Sequence, residues 1–128
     1  MPARRRIDPV DGRRALQVCR AAGFAAGRAS PEDLGTAVRF TLEELALRAP
    51  GRTVEVRVPP FGATQCIEGP THTRGTPPNV IETDPATWLA LVTGILTWSA
   101  ALERGVVSAS GRRAHLDGLL PMFEQAGE

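Results

Sequence analysis

The chain has 128 residues, 42% of them apolar, enough for one domain with a hydrophobic core of its own. Fifteen basic residues against fourteen acids leave a formal charge of +1, which lacks the electrostatic footprint of a nucleic-acid binder. No window approaches the roughly 20 apolar residues of a membrane-spanning helix, so stable membrane insertion is not expected.

The N-terminus, MPARRRIDPVDG, has no apolar run behind its arginines and does not read as a signal peptide. Residues 1–7 are expected to be a flexible tail on a single domain covering 1–128, in the cytoplasm. Every basic residue is arginine; we attribute this to codon composition rather than to selection for anion recognition. Asp8 and Pro9 open a first helix, with Val10, Leu16, Val18 and Cys19 as its apolar surface and Gly12 as a cost to its stability. SPEDLGTAVRFTLEELALRAPG is a stronger helix: Ser30 caps it, Glu32 and Asp33 face the positive end of its dipole, and Pro50–Gly51 end it. Leu34, Val38, Thr41, Leu45 and Ala49 fall on one face, while Phe40 and Leu47 form a separate ridge for the first helix or a partner chain.

TVEVRVPP alternates Val54, Val56 and Val58 with Thr53, Glu55 and Arg57, as a half-buried strand does. ATQCIE and NVIET are two more strands, joined by the turn-rich GPTHTRGTPP. Asp84–Pro85 repeats the cap-then-proline start before ATWLALVT, and Gly94 suits that helix's end. Thr97 caps a short helix closed by Gly105, VVSASG reads as a strand, and RRAHLDGLL as a last helix stopped by Pro121. Beyond that proline, Met122 and Phe123 stay apolar; with Leu119 and Leu120 they are expected to fold back as a cover over a ligand cavity. The order of elements is α+β, with one layer of helices on one sheet face.

The stretch from Cys66 to Asp84 gathers polar groups, and three chemistries are conceivable there. Cys66 and His72 could pair as nucleophile and base, but no third orienting group stands at a recognisable spacing. Cys66, Glu68, His72 and Asp84 could hold a metal, but the close ligand pairs of zinc sites are missing. Arg57, His72 and Arg74 could clamp an anionic molecule; against this, Arg74 could simply pair with Glu68, Glu82 or Asp84. No catalytic residue, metal or cofactor is assigned, and the protein is not expected to be an enzyme.

The segment from Val80 to Phe123 is more informative. An acid, Asp84, precedes a helix ending in Leu91–Gly94; a second short helix runs Thr97–Arg104. A glycine-led strand, Gly105–Gly111, and a last segment, Arg112–Leu120, complete the series. This order and spacing resembles the C-terminal half of the sterol carrier protein family, particularly its small stand-alone bacterial members. The helix 30–49 and the strand 52–58 add support. The resemblance implies a mixed or antiparallel sheet of four to five strands, helices packed on one face, and an apolar cavity between them for a lipid-like molecule. Four strands are legible, and the proline-rich connector 69–79 is not a family feature. A related domain occurs as an accessory to maleylpyruvate isomerase-like enzymes, so the fold alone does not certify lipid transport.

The expected function is therefore non-catalytic binding of a hydrophobic small molecule, whether fatty acyl, isoprenoid or sterol-like. Its expected contacts are Trp88, Leu91, Val92, Ile95, Trp98, Leu102, Leu120, Met122 and Phe123, with polar contacts from Arg57, His72 or Arg74. Two alternatives stand beside it. One is an interaction or accessory module with a filled cavity, meeting a protein partner at Phe40 and Leu47. The other is a small enzyme acting on an anionic substrate through Arg57, His72 and Arg74.

Overall fold

Each helix starts where an oxygen-bearing side chain can satisfy amides that lack a helical partner. In α1 (Pro9–Ala21) the Asp8 carboxylate accepts from the Val10 amide at 2.8 Å, and in α2 (Pro31–Arg48) Ser30 accepts from Asp33 at 3.0 Å. Asp84 accepts from Thr87 at 3.1 Å ahead of α3 (Pro85–Val92), and Thr97 from Ala100 at 3.2 Å ahead of α4 (Trp98–Arg104). These are the caps the sequence announces. A computed structural model describes residues 4–24, 28–69 and 79–123.

The described strands are β1 (Val54–Val58), β2 (Gly62–Cys66), β3 (Asn79–Thr83) and β4 (Val107–Ser110). They form one sheet in the order β2-β1-β3-β4. β1 runs antiparallel to β2 and parallel to β3, and β3 runs antiparallel to β4, so the sheet is mixed. The register aligns Thr64, Val56 and Ile81 in one row and Cys66, Val54 and Asn79 in the next. Val54, Val56, Val58, Cys66 and Ile81 are buried and point to the helical side. Glu55 and Arg57 alternate with them and point to the other face. The fold is α+β, as the sequence indicated.

Above the sheet, α2 and α3 close the core with Phe40, Leu45, Trp88, Leu89 and Leu91, all at 0–1% exposure. The Trp88 indole N–H donates to the Thr41 hydroxyl oxygen at 2.8 Å, and that hydroxyl donates in turn to α2 carbonyls of Ala37 and Val38. A buried indole donor is thus satisfied without water. α1 lies chiefly on α2.

The structure corrects five expectations. Gly12 is no mere weakness in α1: a Cβ there would fall well inside contact distance of the Phe40 ring, so its absence lets the two helices meet. Phe40 is covered by α1, the first of the two neighbours expected for its ridge, and not by a partner chain: it is fully buried, with its ring tilted against Phe123 at a centroid distance of 5.6 Å, while Leu47 remains exposed. The tail expected over 1–7 is docked from Arg5 to Ile7. Arg5 pairs with Glu44 above the Phe40 ring, and the Arg6 and Ile7 amides donate to Glu43 Oε1 at 3.1 Å each.

The last helix is replaced by turns. Gly111 and Gly118 both take positive φ, and the Leu119 amide donates to the carbonyl of Leu116, three residues back, at 3.0 Å. Asn79 Oδ1 holds the start of this segment by accepting from the Arg113 amide at 2.9 Å. Finally, Met122 and Phe123 are core and not a cover. Their amides both donate to the Val92 carbonyl, at 2.9 and 2.8 Å, and Phe123 is 2% exposed.

Candidate functional site

A cleft of about 190 Å³ opens where the α3–α4 turn meets the turns that follow β4. One wall starts at Leu91 near the end of α3. The chain then turns at Gly94, whose φ of +82° is a conformation that glycine adopts without strain. A Cβ at Gly94 would sit 3.3 Å from the Pro121 ring, so the residue also admits the opposite wall. Leu96 follows in the turn, and Trp98, 8% exposed, begins α4. The opposite wall is Leu116, Leu120 and Pro121. Leu116 is fully buried and anchors its turn, while Leu120 is half-buried.

The polar groups at the rim are few. The Thr97 hydroxyl is already engaged in capping α4, and among the described residues the Asp117 carboxylate is the one charged group in the lining. His115 Nδ1 lies 3.7 Å from Asp117 Oδ2, and both side chains are largely exposed. Such an arrangement can hold an apolar segment by excluding water. Among the described residues its lining holds no arginine to meet a carboxylate or phosphate.

The expected ligand-binding residues are divided by the structure. Leu91, Trp98 and Leu120 come together in the cleft. Trp88 and Val92 are fully buried in the core, as are Met122 and Phe123 to within a few per cent. Ile95 and Leu102 are exposed, at 52% and 44%. Leu96, Leu116 and Pro121 line the cleft and were not among the expected contacts; the glycines flanking them, Gly94 and Gly118, were the available signal.

The described polar candidates lie away from this cleft. Arg57 pairs with Glu55 at 2.5 Å on the sheet face opposite the helices, with Glu82 beside it in the β3 register. His72 and Arg74 lie outside the described residues. Asp84 is occupied as the α3 cap, accepting from the Thr87 hydroxyl at 2.6 Å as well as from its amide. Burial pushes the Cys66 thiol up to about 12. Burial, with a smaller contribution from Asp33, pushes Cys19 up to about 11. Both thiols are protonated at neutral pH and are poor nucleophiles. Among the described residues, no three His, Cys, Asp or Glu side chains gather as a metal site.

No described helix is long and apolar enough to cross a membrane. No curated protein matches the chain. A family model described as "Bacterial SCP ortholog" matches residues 30–122, from the cap of α2 to Met122. That span includes the four described strands and both walls of the cleft and leaves α1 outside. With most of its length matched, the chain belongs to the sterol carrier protein family, among its bacterial members.

Proposed function

We propose that the protein reversibly binds the end of a slender apolar chain, of fatty-acyl or isoprenoid kind, in the cleft beside Trp98, without catalysing a reaction on it. The observation that carries this is the cleft itself: aliphatic and indole walls from two turns, at the edge of a closely packed core. Family membership supports a hydrophobic ligand. Ligand pockets usually span about 300–1,000 Å³. A cleft of about 190 Å³ suits a chain end better than a fused-ring sterol body. With Asp117 at the rim, a ligand with a neutral polar end fits better than a carboxylate.

Each methylene removed from water contributes about 0.8 kcal/mol. Affinity for straight-chain alcohols should therefore rise about fourfold per added carbon and level off once the cleft is full. Tryptophan emission, with no tyrosine present, reports the titration. Trp98→Ala should weaken binding about tenfold or more, whereas Cys66→Ser and His72→Ala should leave it intact. Equal affinity in the Trp98→Ala protein, read by calorimetry, would remove the cleft from the account.

A second reading is an accessory or interaction module. Val56, Leu89 and Trp88 are all at 0% exposure between sheet and helices, where a family-type cavity was expected. An absence of binding across the whole alcohol series would favour that reading.

A further inference from the structure

The α1 helix carries a second feature, outside the span matched by the family model. Arg13, Leu16, Gln17 and Arg20 are spaced i, i+3, i+4 and i+7, so they share one face of the helix. Beside them runs a groove of about 290 Å³, larger than the cleft at Trp98, with Arg14 at its margin and Phe123 at its base. Leu16 and Phe123 are 5% and 2% exposed, so the floor is apolar and belongs to the fixed core. Arg13 and Arg14 are exposed beside it, and Arg20 is half-buried. Arg14 reaches Asp33 only at 3.6 Å with a side chain 60% exposed, and Arg13 has no ion pair among the described residues.

We infer that this groove is a binding site for a small organic acid: one carboxylate held by Arg13 and Arg14, and a short apolar body lying on Leu16 and Phe123. Arginine's planar fork matches a carboxylate with two parallel hydrogen bonds, and the neutral Gln17 amide between Arg13 and Arg20 can donate a further one. An exposed ion pair by itself contributes little. The apolar floor therefore matters as much as the charge, and inorganic oxyanions, which gain nothing from it, are the poorer ligands. This site shares no described lining residue with the cleft beside Trp98, where no arginine is found among the described lining residues.

The test is an NMR titration of the ¹⁵N-labelled protein with octanoate, octanol and inorganic phosphate in parallel. Octanoate should shift the amides of α1 from Arg13 to Arg20 saturably, and octanol and phosphate should leave them nearly unmoved. Arg13 and Gln17 are exposed, so Arg13→Gln and Gln17→Glu together should leave the melting temperature within a few degrees and weaken octanoate at least tenfold. Trp98→Ala should leave the α1 response unchanged. Raising the salt concentration should weaken it severalfold. The proposal is overturned if octanol moves the α1 amides at the same midpoint, since charge then plays no part. It is equally overturned if phosphate does so, if octanoate moves only residues around the cleft, or if the double variant binds as the wild type does.

Discussion

Trp88 and Trp98 carry the same side chain ten positions apart and end in different surroundings. Trp88 is sealed in the core with its N–H on Thr41, while Trp98 forms a wall of the cleft. Helical spacing marks both as inward-facing, but only tertiary neighbours separate a core residue from a ligand wall. Gly12 shows the same limit: its helix-weakening character is legible, and the Phe40 ring that requires it is not. In an open helix, glycine to alanine stabilises by up to about 1 kcal/mol. Here Gly12→Ala should destabilise by about 1–3 kcal/mol, because the added methyl overpacks the α1–α2 contact; urea denaturation of the two proteins measures it.

Glu44 supplies a prediction in pH. Burial pushes its carboxyl up, but hydrogen bonds and charges from Arg48 and Arg5 outweigh this and hold it below the ordinary glutamate value. The folded state then binds the proton less readily than the unfolded chain does. Its contribution to stability is complete above the ordinary glutamate range and is lost as pH falls through the lower folded value. Glu44→Gln should be less stable than wild type at neutral pH, with the difference narrowing in acid. A constant difference across the pH range would contradict this role.

At the scale of elements, local chemistry was the readable part. Cap oxygens and first-turn prolines act within three residues, and the valine alternation of β1 reports burial directly, so four helices and four strands were legible. The segment after β4 was not. Leu116, Leu119 and Leu120 sit at the i, i+3 and i+4 spacing of a helix, yet Gly111 and Gly118 break the segment into turns pinned by the buried Leu116 and by Asn79. Met122 and Phe123 are bound to Val92 by their two amides, and Arg48 lies 5.6 Å over the Phe123 ring. A removable cover would lose binding before it lost folding; a docked core strap does the reverse. Phe123→Ala should cost about 3–5 kcal/mol, as large-to-small changes in closed cores do, and a chain ending at Gly118 should melt far below full length. A truncated protein that keeps its melting temperature would return these residues to the role of a lid.

For the molecule as a whole, the described side chains between sheet and helices are closely buried, and the cleft beside Trp98 and the groove along α1 lie at the margins. That could not be read from composition, because the same ten or so large apolar residues can surround a cavity or close it. Which outcome holds depends on side-chain volumes meeting across elements distant in sequence, such as Ile81, Phe40 and Trp88. The central claim is that an apolar chain enters at the edge, beside Trp98, and not into the sheet–helix interior. Methyl-labelled protein with saturating decanol tests it by intermolecular nuclear Overhauser effects. The account predicts contacts from the alkyl chain to the methyls of Leu91, Leu96, Leu116 and Leu120, and none to Val56, Ile81 or Leu89. Contacts to Val56, Ile81 and Leu89 would contradict it, since the interior would then open to hold the ligand.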